Sequence, residues 1–300
     1  VGYQRNALAA NFRLQQTKSI AVSIPDITNP FFPELINGIQ EVLTEEGYSM
    51  VQLYNDWDAN VEKEHFNYMV RTCVDGAIIS PTGLKVSFNA LDPIPFILLS
   101  NSEKFSMYDT VGNDSRNGMR LALERLYQLG HRRIVLFIGG SMRSGPNWRA
   151  ELFREFHQEK GLSIPQESIL ESDYGVNTTS SFDTARRFMN DFLTKPKLPT
   201  AIFSSNDILA LATLQVANEK GIKVPESLSV VGMDGIFSGE VSYPPLTTVK
   251  KNRRKTGRCA ALTLIEKMKS NKDRSTKMQL LSCSLLERGS MGPPSKTNEI

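Results

Sequence analysis

Short apolar runs alternate along this chain with stretches whose apolar residues recur every three or four positions. Ile20-Ala21-Val22-Ser23-Ile24 is a nearly continuous apolar run followed by the turn residues Thr28-Asn29-Pro30, the pattern of a strand covered on both faces. From Pro33 the spacing changes. Leu35, Ile36, Ile39, Val42 and Leu43 fall on one helical face, and Gly47 supplies the left-handed residue that closes a helix. The same step returns with a strand from Met50 to Tyr54 and a helix carrying Phe66, Met69, Val70 and Cys73. Strands at Ala77-Ile78-Ile79 and Phe96-Ile97-Leu98-Leu99 follow, then a helix with Met119, Ala122, Leu123 and Leu126 that stops at Gly130.

A second series begins at Arg133-Ile134-Val135-Leu136-Phe137-Ile138, with Leu152, Phe153 and Phe156 on the next helix, which ends at Gly161. Further strand and helix pairs are predicted at Ser168 to Glu171 with Phe182, Ala185 and Met189, and at Ala201-Ile202-Phe203 with Ile208, Leu211 and Ala212. A last strand is read at Leu228 to Val231. Parallel strands need long crossovers, so two such series predict an α/β chain of two doubly wound parallel sheets with helices on both faces. Ligands of open parallel sheets bind outside the carboxyl ends of the strands. The loops after Ile24, Tyr54, Ser80, Ile138, Ser204 and Gly232 are therefore where chemistry is sought.

The 300 residues, 40% hydrophobic and 22% charged, suit about two soluble domains. A net charge of +3 is too weak to name a nucleic-acid partner by itself. No apolar run approaches a membrane span and no signal peptide opens the chain, so a cytoplasmic protein with no membrane partner is expected. Cys73, Cys259 and Cys283 are odd in number and unclustered, as in a reducing compartment. His65, His131 and His157 have no ligand-spaced companions, and phosphate-loop, dinucleotide and nucleophile-elbow motifs are missing. Gly139-Gly140-Ser141-Met142-Arg143 fails the elbow at its last position. No enzyme, no metal and no cofactor is expected.

The strand-end loops instead carry hydrogen-bonding and aromatic residues suited to a small polar ligand: Phe31, Asp56, Trp148, Arg149, Asp173, Tyr174, Asn206 and Asp234. Some have plainer roles open to them. Asn206 can cap the helix after it, Asp207 suits that helix's dipole, and Phe31 and Trp57 can be packing residues. Arg149 and Asp234 stand out because they sit at strand-to-helix junctions of different βα units.

At this point the chain resembles the lactose-repressor (LacI/GalR) family of bacterial transcription regulators. The blocks that carry the likeness include Pro25 to Phe32, Val74-Asp75-Gly76-Ala77-Ile78-Ile79, Leu129 to Ile134, Pro199 to Phe203, Asn206-Asp207, Val224 to Asp234 and Pro245 to Val249. Their order and spacing together are highly specific. The resemblance implies a periplasmic-binding-protein-like (type I) effector core, crossed three times by the chain, with a ligand cleft between two subdomains and a homodimer as the working unit. Matching positions make Arg149 and Asp234 the polar anchors, Asn206 a hydroxyl contact, and Tyr174 and Phe31 aromatic walls. The family's Arg-Leu-x-Gly-Phe reads Arg149-Ala150-Glu151-Leu152-Phe153 here.

Residues 1–17 are similar to the end of the family's DNA-binding headpiece and its hinge helix, with Gly2, Tyr3, Asn6 and Ala9 matching. Arg5 replaces a Pro, and Phe12 replaces the Leu that wedges into the minor groove. The resemblance makes Asn6, Ala9, Phe12 and Arg13 the DNA hinge, so operator DNA is a partner of the full-length protein only. Eight residues from Asn6 to Arg13 are too few for an isolated helix, and that segment is expected to be disordered without DNA. The subdomains are placed at 18–130 plus 248–273 and 131–247 plus 274–290. Residues 291–300 are expected to form a disordered tail with no tetramerising heptads. Dimer contacts are expected from helix faces around Leu53 to Met69 and Ile208 to Val216. The basic run Lys250, Lys251, Arg253, Arg254, Lys255 and Arg258 reads first as a solvated face, and second as a phosphate or acidic-partner surface. The resulting reading is an effector-sensing domain for a sugar or related polyol, the alternative being a solute-binding protein of a sugar transport system.

Overall fold

The computed structural model describes residues 16–83, 87–139, 147–172, 181–270 and 276–295. The chain divides into two compact units with boundaries at Asn113/Asp114, Lys251/Asn252 and Leu281/Ser282.

The first unit is built on a six-stranded parallel sheet. Its strands are β1 (Ser19–Ile24), β2 (Ser49–Tyr54), β3 (Gly76–Ile79), β4 (Phe96–Leu99), β5 (Thr110–Asn113) and β11 (Met278–Leu281), in the order β11-β5-β4-β3-β1-β2. The apolar run at β1 behaves as its composition requires. Ile20, Val22 and Ile24 point to one face, against α1 (Phe31–Glu45) and α8 (Arg253–Lys269), while Ala21 points to the other, against α2 (Ala59–Arg71) and an aromatic group of Phe66, Phe88, Phe96 and Phe105.

Helices α1 and α8 pack at glycine contact. A Cβ on Gly257 would collide with the Leu35 carbonyl, and one on Gly38 with the Arg254 carbonyl, so each helix presents bare backbone to the other. The closeness brings side chains along both edges into register. Glu34 meets Arg253 at 2.8 Å, Glu41 meets Arg254 and also Arg258 at 2.8 Å, and Glu46 meets Lys269 at 2.7 Å.

The second unit holds β6 (Ile134–Gly139), β7 (Ile169–Ser172), β8 (Ala201–Ser204), β9 (Ser229–Asp234), β10 (Thr247–Lys250) and β12 (Ser284–Leu286), in the order β12-β10-β9-β8-β6-β7. All pair in parallel except β12, which runs antiparallel to β10. Helices α3 (Ser115–Gln128) and α4 (Trp148–Glu159) cover one face, and α5 (Ser181–Phe192) and α6 (Asp207–Glu219) the other. A one-turn α7 (Phe237–Glu240) follows β9.

The expected boundaries at 130, 247 and 273 are corrected by packing. Met119, Ala122, Leu123 and Leu126 of α3 join Ile134, Phe153, Phe156 and Val249, so α3 belongs with the second sheet although it precedes the second βα series. β10 is hydrogen-bonded to β9 and β12, which places it in the second unit, and β11 pairs with β5 in the first. The tail is also corrected as far as Ser295. Ser290 is fully buried and its hydroxyl donates to the Val230 carbonyl at 2.6 Å. The Gly292 carbonyl lies 2.8 Å from His131 Nε2, and its N–H donates to Ser229 Oγ at 3.1 Å. Residues 296–300 lie outside the described residues. His131 is thus a buried pin for the carboxyl-terminal segment, with Nδ1 3.0 Å from Thr200 Oγ1.

Alanine at Gly257 raises helix propensity but forces the two helices apart. Overpacking of this kind costs about 1–3 kcal/mol, which outweighs the roughly 1 kcal/mol that Ala gains over Gly in a helix. Gly257→Ala is expected to lower the urea midpoint, with an unchanged far-ultraviolet dichroism spectrum.

Candidate functional site

The carboxyl end of the second sheet is organised by one buried carboxylate. Asn206 caps α6, its side-chain oxygen accepting from Leu209 N at 2.9 Å, and this turns Asp207 inward, where it is fully buried. Asp207 Oδ1 accepts from Thr248 Oγ1 of β10 at 2.5 Å, and Oδ2 accepts from Ile236 N at 2.8 Å. Gly232 permits the approach, because a Cβ there would strike Asp207 Oδ1. One side chain therefore ties α6, β10 and the turn after β9 together. Burial first, and the nearby Asp234 charge second, push the Asp207 carboxyl up to about 7, against the lowering pull of its hydrogen bonds.

Asp234 ends β9 in a backbone conformation rare for a side-chain-bearing residue, φ 132°, followed by Gly235 at φ 74°. Its carboxylate is paired with the Lys251 ammonium at 2.8 Å, the two side chains being 6% and 12% exposed. Lys251 N also donates to the Asp234 carbonyl at 3.2 Å, so the two residues are joined through backbone as well as side chain.

Arg149 occupies the first turn of α4, where its N–H is capped by Asn147 Oδ1 at 3.1 Å. Its guanidinium lies 4.5 Å from the centre of the Trp148 ring, and Arg116 sits 5.5 Å from the same ring. At the ends of β7 and β8, Glu171 Oε2, Ser172 Oγ and Ser204 Oγ are buried with no hydrogen-bond partner among the described residues. Asp173 and Tyr174 lie outside the described residues, as do Asn6, Ala9, Phe12 and Arg13 of the hinge.

In the first unit Phe31 starts α1, edge-on to Phe32 at 5.2 Å and half-buried against the β1 face. Asp56 and Trp57 adopt successive left-handed conformations at φ 47° and 60°, held by Asn55 Oδ1, which accepts from Trp57 N at 3.1 Å. The Asp56 carboxyl is raised, by desolvation first and then by Asp26 and Asp58. Asn55 is wholly buried, and among the described residues neither its Nδ2 nor Trp57 Nε1 has a partner.

Of the residues read from the sequence, Asn206 is found in its plainer role as a helix cap. Arg149 and Trp148 are brought into contact, and Asp234 sits where the strand order placed it, but joined to Lys251. Asp207 and Lys251 are the site residues that sequence reasoning missed. Asp207 was absorbed into a helix start, and Lys251 into a basic run whose members prove to have separate destinations. Arg253, Arg254 and Arg258 of that run pair with Glu34, Glu41 and Glu45 of α1, so the phosphate or acidic-partner reading loses these cations to the chain's own carboxylates. Among the described residues no cluster of three or more His, Cys, Asp or Glu is arranged to hold a metal ion, and no helix is long and apolar enough to cross a membrane.

Each of the two α/β sheets gathers polar residues at the carboxyl ends of its strands, where open sheets of this kind bind ligands. Residues 123–291 match the periplasmic binding protein-like domain. The chain is 34% identical over 264 residues to the HTH-type transcriptional regulator DegA of Bacillus subtilis (strain 168), covering 86% of this chain and 76% of that one. It is 28% identical over 295 residues to the HTH-type transcriptional repressor CytR of Escherichia coli (strain K12), covering 97% and 84%. A LacI family regulator from Enterococcus faecium, solved with bound ribose, superposes with a TM-score of 0.76 at 28% identity over 92% of this chain and 99% of that one. A lac repressor dimer bound to operator and the anti-inducer ONPF shares the fold, with a TM-score of 0.83 at 22% identity over 97% and 100%. The chain belongs to the LacI/GalR family of transcriptional regulators.

The titration of Asp207 has a sign that can be checked. Its ordinary value is 3.8 and its folded value about 7, so between those limits the folded chain holds a proton that the unfolded chain does not. Its contribution to stability is complete below about pH 4 and is lost as pH rises through about 7, at about 1.4 kcal/mol for each pKa unit of difference. Asp207→Asn keeps an acceptor for Ile236 N and removes the buried charge. The unfolding free energy of Asp207→Asn relative to the native chain is expected to improve from pH 5 to about pH 7 and to level off above it in urea titrations.

Proposed function

We propose that this chain is the effector-sensing part of a LacI-family regulator and that its effector is a sugar or related polyol, bound at the carboxyl ends of the strands. The observation that carries the reading is where the buried polar atoms without partners collect. Asn55 Nδ2 and Trp57 Nε1 follow β2, and Glu171 Oε2, Ser172 Oγ and Ser204 Oγ end β7 and β8, with Thr110 Oγ1 of β5 the exception away from those ends. Leaving a buried donor or acceptor unsatisfied costs about 1–3 kcal/mol, and hydroxyls of a ligand both donate and accept, so a polyol meets such a mixed set. Solved relatives named with bound ribose, cellobiose or D-xylulofuranose support the same ligand class. Relatives named as transcriptional regulators and repressors favour this reading over a transport solute-binding protein, and with it a cytoplasmic location and operator DNA as the partner of the full-length protein.

Within the second unit we assign the ligand's polar anchors to Arg149 and Asp234, with Trp148 and Asn206 as further contacts; Phe31 and Asp56 of the first unit are assigned as ligand contacts too, as are Asp173 and Tyr174, which lie outside the described residues. Arg149→Ala and Asp234→Ala are each expected to weaken binding of D-ribose, D-xylulose or cellobiose tenfold or more by calorimetry, with an unchanged dichroism spectrum. A charge-assisted hydrogen bond is worth about 1.5–3 kcal/mol. Unchanged affinity in both variants overturns the assignment.

We further propose a homodimer, with contacts different from those expected from apolar content. The apolar residues of α6 are spent inside the second unit, where Leu209, Ala210, Ala212, Leu214 and Val216 are buried, and Phe66 and Met69 of α2 are buried in the first. Phe237, Val241 and Tyr243, by contrast, are 69%, 66% and 93% exposed around α7, a grouping of large apolar side chains that favours a protein contact there. The native chain is expected to sediment with the mass of two copies, and Phe237→Asp with Tyr243→Asp with the mass of one.

A further inference from the structure

We propose that Asp207 and Thr248 are positioning residues for the effector anchor Asp234: together they hold the two amides that follow it, and so fix the rare backbone conformation from which its carboxylate meets the ligand. The inference rests on the effector reading above, with Asp234 as an anchor, and adds to it the residues on which that anchor depends.

Asp234 ends β9 at φ 132°, and Gly235 follows at φ 74°. A residue with a side chain stays in so sparsely populated a region only where its surroundings over-determine it. Here the next two amides are both taken. Gly235 N donates to Thr248 Oγ1 at 3.3 Å, and Ile236 N donates to Asp207 Oδ2 at 2.8 Å. The Thr248 hydroxyl in turn donates to Asp207 Oδ1 at 2.5 Å, which joins the two contacts into one unit. The Asp234 carbonyl is held as well, accepting from Lys251 N at 3.2 Å.

Neither side chain is spent on its own element. Asn206 caps α6 by accepting from Leu209 N, so the oxygens of Asp207 are left to reach β10 and the turn. Thr248 stands opposite Gly232 in the pairing of β9 with β10, a backbone register that asks nothing of its hydroxyl. The glycine is what lets the two meet, because a Cβ on Gly232 would strike Asp207 Oδ1. Burying a carboxylate is unfavourable, and Asp207 is fully buried with its carboxyl pushed up to about 7. What that burial secures is the turn that carries Asp234. Changes at Thr248 or Gly232 alter neither Asp234 nor Lys251 itself, so they reach the anchor through the turn.

The test is calorimetry on the full chain with D-ribose, D-xylulose and cellobiose, followed with whichever of them the native chain binds most tightly. Thr248→Val keeps the shape and removes the hydroxyl, and is expected to weaken binding about tenfold or more, while Thr248→Ser, which restores the hydroxyl, stays within about threefold. Gly232→Ala, which displaces Asp207, is expected to weaken binding about tenfold or more as well. The decisive comparison repeats Thr248→Val in the Asp234→Ala background. Action through Asp234 predicts that the second substitution then costs less than about twofold, whereas a merely structural Thr248 costs the same factor in both backgrounds. Thermal unfolding identifies any variant that does not fold, and Gly232→Ala, with and without Asp234→Ala, decides the question in place of an unfolded Thr248→Val. If Asp234→Ala weakens binding but folded Thr248→Val weakens it less than about tenfold, or still costs about twofold or more once Asp234 is alanine, the positioning role is overturned and the effector reading stands. Thr248→Ser binding as weakly as Thr248→Val overturns the role too. If the native chain binds none of the three sugars, or Asp234→Ala leaves the affinity unchanged, the anchor itself is overturned and this inference with it.

Discussion

A parallel strand cannot return to its neighbour without crossing the sheet's face, and that constraint governs this protein. Each crossover lays a helix on the sheet, so both faces are covered and the strands become almost wholly apolar, as β1, β3 and β8 are. Polar side chains that the chain must place near its core are then driven to the ends of strands. At the carboxyl ends of β7, β8 and β9 the second unit assembles Glu171, Ser172, Ser204, Asp207 and Asp234 from segments far apart in sequence.

The same economy explains the treatment of charge. Asp207 is buried deeply enough that its ionised form is disfavoured, yet it is retained because its two oxygens satisfy the Thr248 hydroxyl and the Ile236 amide, joining three elements through one side chain. Asp234 stays beside it by taking Lys251 as a counter-ion. On the first unit the solution differs. Arg254 and Arg258 bridge to Glu41 at the surface, where water does most of the solvation and the ion pairs serve chiefly to trim the edge of a glycine-contact helix pair.

Much of the fold was legible because strand and helix periods are local. β1 to β4 and β6 to β9, with the α-helices between them, were readable from runs and from three-and-four spacing, and Gly47, Gly130 and Gly161 close helices with positive φ. β5, β10, β11 and β12 were not read as strands. Thr110–Asn113 and Ser284–Leu286 are short and have no period to detect, and their identity depends on the strands they pair with. For the same reason α3 was placed in the wrong unit: its apolar face is plain in the sequence, but its partners Val249 and Cys283 lie more than a hundred residues away.

The sequence by itself determined the alternation of elements, the two-sheet class, the family likeness and the carboxyl-edge position of Arg149 and Asp234, all of which follow from local pattern and residue order. Only the tertiary structure decided what each charge and each apolar face is used for. Lys251 left the basic run for Asp234, Arg253 went to Glu34, the apolar side of α6 went inward, and Phe237, Val241 and Tyr243 stayed outside. The physical reason is that a side chain's periodicity is set by its neighbours in sequence, whereas its solvation and its partner are set by whatever the fold brings within a few ångströms.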